Sequence, residues 1–108
     1  MYFCDADNRE AKEVVPGIRL KTFWGEKMLL SLVELDAGAV LPNHSHPHEQ
    51  SGTVISGVLR LTIAGETRDL TAGDAYIIPG GVEHSAIAGP TLTKVVDIFS
   101  PVREEYKF

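Results

Sequence analysis

Short apolar segments separated by Gly and Pro turns run through most of the chain. Val58-Leu59-Arg60-Leu61-Thr62-Ile63 follows Gly57 and ends at the Ala64-Gly65-Glu66 turn. Thr67 to Leu70 returns, and Thr71-Ala72-Gly73-Asp74 turns again. Ala75-Tyr76-Ile77-Ile78 runs into Pro79-Gly80-Gly81, and His84 to Ala88 stops at Gly89-Pro90. Thr91 to Ser100 is long and rich in β-branched residues, which pack well on a pleated surface. Each segment reads as a strand bounded by turn residues. Residues 26–37 show neither strict alternation nor a clean helical stripe. They lie between Gly25 and Gly38 in a chain of strands, and are assigned as a strand too. The polar ends, 1–12 and 103–108, are read as extended arms.

Composition narrows the picture. Ten Gly and six Pro are spread so evenly that only residues 1–15 and 26–37 run uninterrupted for about a dozen residues. Both residues break helix interiors, so a helical bundle is excluded and an all-β sandwich or barrel remains. Leu, Ile, Val and Phe make up 31 of the 108 residues, enough for a core but for only one domain. The net charge of -5 gives no basic footprint for nucleic acid. No apolar run approaches the ~18 residues of a membrane helix. Met1-Tyr2-Phe3-Cys4-Asp5 lacks the basic start and apolar stretch of a signal peptide. Cys4 is the only cysteine, which leaves no internal disulfide and no Cys-based zinc cluster. The expectation is a cytoplasmic protein that binds neither nucleic acid nor membrane.

Candidate chemistry begins with histidine. Three of the four histidines fall in Asn43-His44-Ser45-His46-Pro47-His48-Glu49-Gln50. Alternation puts His44 and His46 on one face of an extended segment, where two imidazoles can grip one divalent ion. The plain alternative is an exposed polar loop. His84 stands apart, after Pro79-Gly80-Gly81-Val82-Glu83, and by itself reads as a structural or surface histidine.

The spacing of these residues with the glycines changes that. Gly38, His44, His46, Gln50 and Gly57 form one block over 38–57. Gly73, Pro79, Gly81 and His84 form a second over 73–84. Together they resemble the two motifs of the cupin superfamily. The resemblance implies a small single-domain double-stranded β-barrel (jelly roll) over 1–108, with both motifs feeding one metal site. It departs at one position, where the usual Glu ligand is replaced by Gln50. Glu49 is adjacent but would point to the other face of a regular strand, so Gln50 is assigned as the fourth ligand. His48 is a further candidate by alternation, but Pro47 disturbs the alternation there, and His48 is read as a rim residue. Three neutral imidazoles and a neutral amide leave a divalent ion (Ni, Zn, Mn or Fe) its full charge. That favours polarising an oxygen-rich substrate over the chemistry of the 2-His-1-carboxylate iron sites.

The last strand carries an oddity. Val95-Val96-Asp97-Ile98-Phe99 is apolar apart from one carboxylate, which is costly there unless it is paired or faces a wet cavity. One reading is a structural ion pair between Asp97 and Arg103, or an Asp on a solvated face. The other is a substrate chamber. Asp97 is then a general acid and base, Phe99 an apolar wall, and Arg103 a fork for a substrate carboxylate.

The histidine block, Gly73-Asp74…Tyr76-Ile77…Pro79, and Asp97-Ile98-Phe99-Ser100-Pro101-Val102-Arg103-Glu104-Glu105 together resemble the KdgF-type pectin-degradation cupins. In that family a Gln takes the place of the usual Glu. The resemblance implies a metal held by His44, His46, Gln50 and His84, with Asp97, Phe99 and Arg103 as catalytic residues. It implies conversion of 4,5-unsaturated uronates, released from pectin or alginate, to linear keto forms. A homodimer is expected on the same ground, since cupins of this size often pair. Rival readings are another metal-dependent cupin enzyme, such as a dioxygenase or sugar isomerase, and a non-catalytic sugar- or metal-binding cupin.

Overall fold

The structure is a computed structural model and describes residues 2–108. In chain order its strands are β1 (Lys12–Val15), β2 (Ile18–Trp24), β3 (Leu29–Leu35), β4 (Val40–His44) and β5 (Glu49–Ser56). They continue as β6 (Leu59–Ile63), β7 (Glu66–Leu70), β8 (Ala75–Ile78), β9 (His84–Ala88) and β10 (Thr93–Ser100). Among the described residues the one helical element is a 3-10 turn, Glu104–Tyr106. Among the described residues no helix is long and apolar enough to cross a membrane.

Two antiparallel sheets face each other. One has six strands in the order β1-β2-β3-β10-β5-β8, the other four in the order β4-β9-β6-β7. This is the double-stranded barrel that the motifs imply. The strand expected within 26–37 is present as β3 (Leu29–Leu35), and it alternates strictly: Leu29, Ser31, Val33 and Leu35 face inward. The alternation is hard to see in the sequence because the outward neighbours Leu30 and Leu32 are also apolar and one inward residue is a serine. Pro42 is tolerated in β4 because that strand is a sheet edge, where a missing N–H breaks no ladder.

Register stacks the inward side chains of the large sheet into rows. One row is Leu20, Val33, Val95 and Val54, all buried in the main apolar cluster. Opposite it, Leu59, Leu61, Ala86 and Ala88 of the small sheet complete that cluster, the alanines leaving room for the larger partners. The next row is polar: Thr22, Ser31, Asp97, Gly52 and Tyr76. The row beyond holds Leu29, Phe99, Gln50 and Ile78. The barrel is therefore dry at one end and polar at the other.

The C-terminal segment is not an extended arm. It folds back across the polar end, where Thr22 Oγ1 donates to the Tyr106 carbonyl at 2.6 Å and Arg9 donates to the Phe108 carbonyl. Tyr106 meets Phe99 edge-on at 5.6 Å, and apolar contact with this ring holds the tail in place. At the other terminus, residues 2–11 carry no strand, but Arg9 stacks on Phe23 and Trp24.

Candidate metal and acid–base site

The polar end of the barrel gathers side chains from distant parts of the chain. His44 ends β4 and His84 begins β9, and the two are register partners, with ring centroids 4.3 Å apart. His46 lies on the bend after β4. That bend is pinned by the Gly81 N–H, which donates to the His46 carbonyl at 2.8 Å. Gly80 is required in the same turn, because a Cβ there would overlap the Pro47 carbonyl oxygen. The two sequence blocks are thus held together by backbone contacts as well as by their histidines.

The ligand atoms of His44, His46 and His84 lie within 4.8 Å of one another. Each Nδ1 faces a backbone carbonyl: Pro42 at 2.8 Å, His48 at 3.0 Å and Val82 at 2.9 Å, respectively. A carbonyl only accepts, so in each neutral ring Nδ1 carries the proton and Nε2 keeps its lone pair. Such outer hydrogen bonds orient metal-binding histidines. His84 Nε2 is buried with no hydrogen-bond partner. His46 Nε2 lies 3.0 Å from Gln50 Oε1, so two lone pairs converge on one point. A shared cation resolves both anomalies, and the donor set therefore fits a divalent metal ion. Burial lowers the pKa of His46 and of His84, with the positive charge of Arg103 acting in the same direction. Both rings are thereby kept in the neutral form that a metal needs.

Gln50 is inward and buried while Glu49 is exposed, as alternation predicts. His48 is half-buried beside His46, at 5.6 Å between centroids, and takes no place among the three clustered rings.

Asp97 and Phe99 share the inward face of β10. Asp97 is 9% exposed, and burial raises its pKa to about 6. Hydrogen bonds from Tyr76 and Gln50, and the Arg103 charge, pull in the opposite direction. The Tyr76 hydroxyl donates to Asp97 Oδ1 at 2.5 Å. Arg103 makes no ion pair with Asp97; it bonds Glu105 at 2.8 Å and lies over the rings of Phe99 and Tyr106, at 5.2 and 4.0 Å. The structural Asp97–Arg103 pair that the sequence allowed is therefore not made.

His44, Gln50, His84, Asp97, Phe99 and Arg103 line one cavity of about 60 Å³. Three further polar residues reach it that sequence reasoning did not assign: Ser31, Tyr76 and Tyr106. Ser31 Oγ is buried without a partner. Its signal in the sequence is a lone serine inside an apolar strand; Tyr106 has none, since its position depends on the tail folding back.

Comparison with known proteins agrees with this geometry. The Cupin domain family matches residues 31–99. The pectin degradation protein KdgF of Dickeya dadantii is 31% identical over 107 residues, covering 97% of this chain and 96% of that protein. Among solved structures, KdgF from a Halomonas species superposes with a TM-score of 0.90 at 33% identity, covering 95% of this chain and 96% of that one. An RmlC-like cupin from Shewanella frigidimarina gives 0.92 at 28% identity, covering 98% and 96%.

Proposed function

The chain belongs to the cupin family and is a relative of KdgF, and on that premise we propose that it linearises 4,5-unsaturated uronates derived from pectin or alginate. The observation that carries the proposal is Asp97. It is a buried carboxylate without an ion-pair partner, in the wall of the cavity that His44 and His84 also line. Evolution tolerates the cost of such a group where it does chemistry.

His44, His46, His84 and Gln50 would hold one divalent ion. When bound, it supplies Lewis acidity toward substrate oxygens and a positive charge for an anionic sugar. The substrate is a cyclic hemiacetal with a C4=C5 double bond and a carboxylate. Asp97 takes the proton of the C1 hydroxyl, the C1–ring oxygen bond breaks, and C1 becomes an aldehyde. The ring oxygen stays on C5 as an enolate oxygen. Proton delivery to C4 from the Asp97 carboxyl then yields the C5 ketone. Atoms and electrons balance as an isomerisation, so no redox partner is consumed. Arg103 meets the substrate carboxylate, and Phe99 forms the apolar wall that keeps water out. The chain's net charge of -5 is a property of the whole molecule, and Arg103 places a positive group in the cavity wall where an anionic substrate would enter.

NMR of 4,5-unsaturated galacturonate with and without the metal-loaded protein tests the reading. Accelerated loss of the C4=C5 signal with growth of the linear ketone is expected. Uronate binding without turnover would instead make the protein a binding module, and dependence on O₂ would make it an oxygenase. Arg103→Lys keeps the charge but loses the planar fork, so KM should rise by about tenfold. An unchanged KM removes Arg103 from substrate binding.

The proposal includes a homodimer. Ile55, Ile77 and Ile98 are 52%, 67% and 38% exposed on the outer face of the large sheet, an apolar surface suited to a second copy. Sedimentation velocity is expected to show a dimer that Ile77→Asp converts to monomer. A monomeric wild type would contradict it.

A further inference from the structure

We infer that Tyr76 is a positioning residue for Asp97, reaching it across strand β5 through a notch that only glycine leaves open. The inference rests on the acid–base reading of Asp97.

Tyr76, Gly52 and Asp97 are successive register partners on β8, β5 and β10. Tyr76 and Asp97 thus sit two strands apart, about 9–10 Å between backbones. A side chain on the intervening strand would ordinarily fill that space. At Gly52 it cannot: a Cβ there would overlap both Asp97 Oδ1 and the Tyr76 hydroxyl. The hydroxyl lies in the gap and donates to Oδ1 at 2.5 Å, the length of a strong bond to an ionised acceptor. Burial, with the Asp97 charge adding to it, raises the Tyr76 pKa and keeps the phenol a donor.

The arrangement does two things: it fixes the Asp97 side-chain torsion and it occupies Oδ1. On the other flank the register partner is Ser31, whose hydroxyl has no partner, so no second group competes for the carboxylate there.

Steady-state kinetics of metal-loaded Tyr76→Phe, Asp97→Asn and the double variant test this, together with Gly52→Ala. Tyr76→Phe should lower kcat by about tenfold to a hundredfold, with KM within about twofold. In the Asp97→Asn background it should cause no further loss, because it acts through that carboxylate. Gly52→Ala should also lower kcat, although both functional groups remain. Independently of activity, the zinc-loaded protein should show a downfield hydroxyl proton resonance that Tyr76→Phe removes. Wild-type kcat in Tyr76→Phe beside an inactive Asp97→Asn overturns this inference alone, as does a further loss in the double variant or absence of the resonance. An active Asp97→Asn overturns the reading of Asp97 and this inference with it.

Discussion

Asp97→Asn is expected to lower uronate turnover by about a thousandfold or more while leaving metal content unchanged. The amide keeps the shape of the side chain and can still accept from Tyr76, so the loss isolates proton transfer. Metal content is the control, since Asp97 is not among the clustered ligands. The same variant should be more stable than the wild type when both are stripped of metal. The ordinary pKa of 3.8 becomes about 6 in the folded state, mainly through burial. A folded-state pKa above the unfolded one means that the native state binds more protons over that range. Stability then falls as pH rises through it. The gap corresponds to about 3 kcal/mol lost by pH 7, which Asp97→Asn removes. Denaturant unfolding at pH 4 and pH 7 checks this. A variant less stable than wild type at both pH values, or one that retains full activity, refutes the role given to Asp97.

The second large effect concerns the ion. Chelation, or His84→Ala, is expected to abolish turnover and lower thermal stability. His84 is 2% exposed, and its Nε2 has no other partner. An ion at a hundredfold excess over its Kd stabilises the native state by about 2.7 kcal/mol. Chelator should remove that increment from the wild type, and added Zn, Ni, Mn or Fe should restore it. His84→Ala should show no response to either. Metal analysis by mass spectrometry alongside calorimetry reads both outcomes. A wild type whose melting temperature and metal content ignore chelator would refute the site.

Much of this was legible in the chain. Strands β6 to β10 stand between clear Gly and Pro turns, and β7 begins within one residue of its expected start. β5 is less legible because its burial does not alternate cleanly: Gln50 and Val54 are buried, with half-buried residues between them. β1 and β4 are sheet edges, where a strand buries less and its sequence carries a weaker pattern. The tail misleads for another reason. Arg103, Glu104, Glu105 and Lys107 look like a solvated end, but Val102 and Tyr106 are the residues that pack.

By itself, the sequence determined that the chain is β throughout, which side chains of a strand share a face, and that two histidine-bearing blocks belong to one cupin site. These are local properties: turn chemistry, a period of two, and spacing within a motif. Tertiary structure alone decided which faces meet. It put Tyr76, Gly52, Asp97 and Ser31 in one row, left Arg103 bonded to Glu105, and folded the tail across the cavity. The reason is that β10 lies between β3 and β5, strands far from it in sequence. Alternation says whether Asp97 points inward, but only the register of long-range backbone hydrogen bonds says what it meets there.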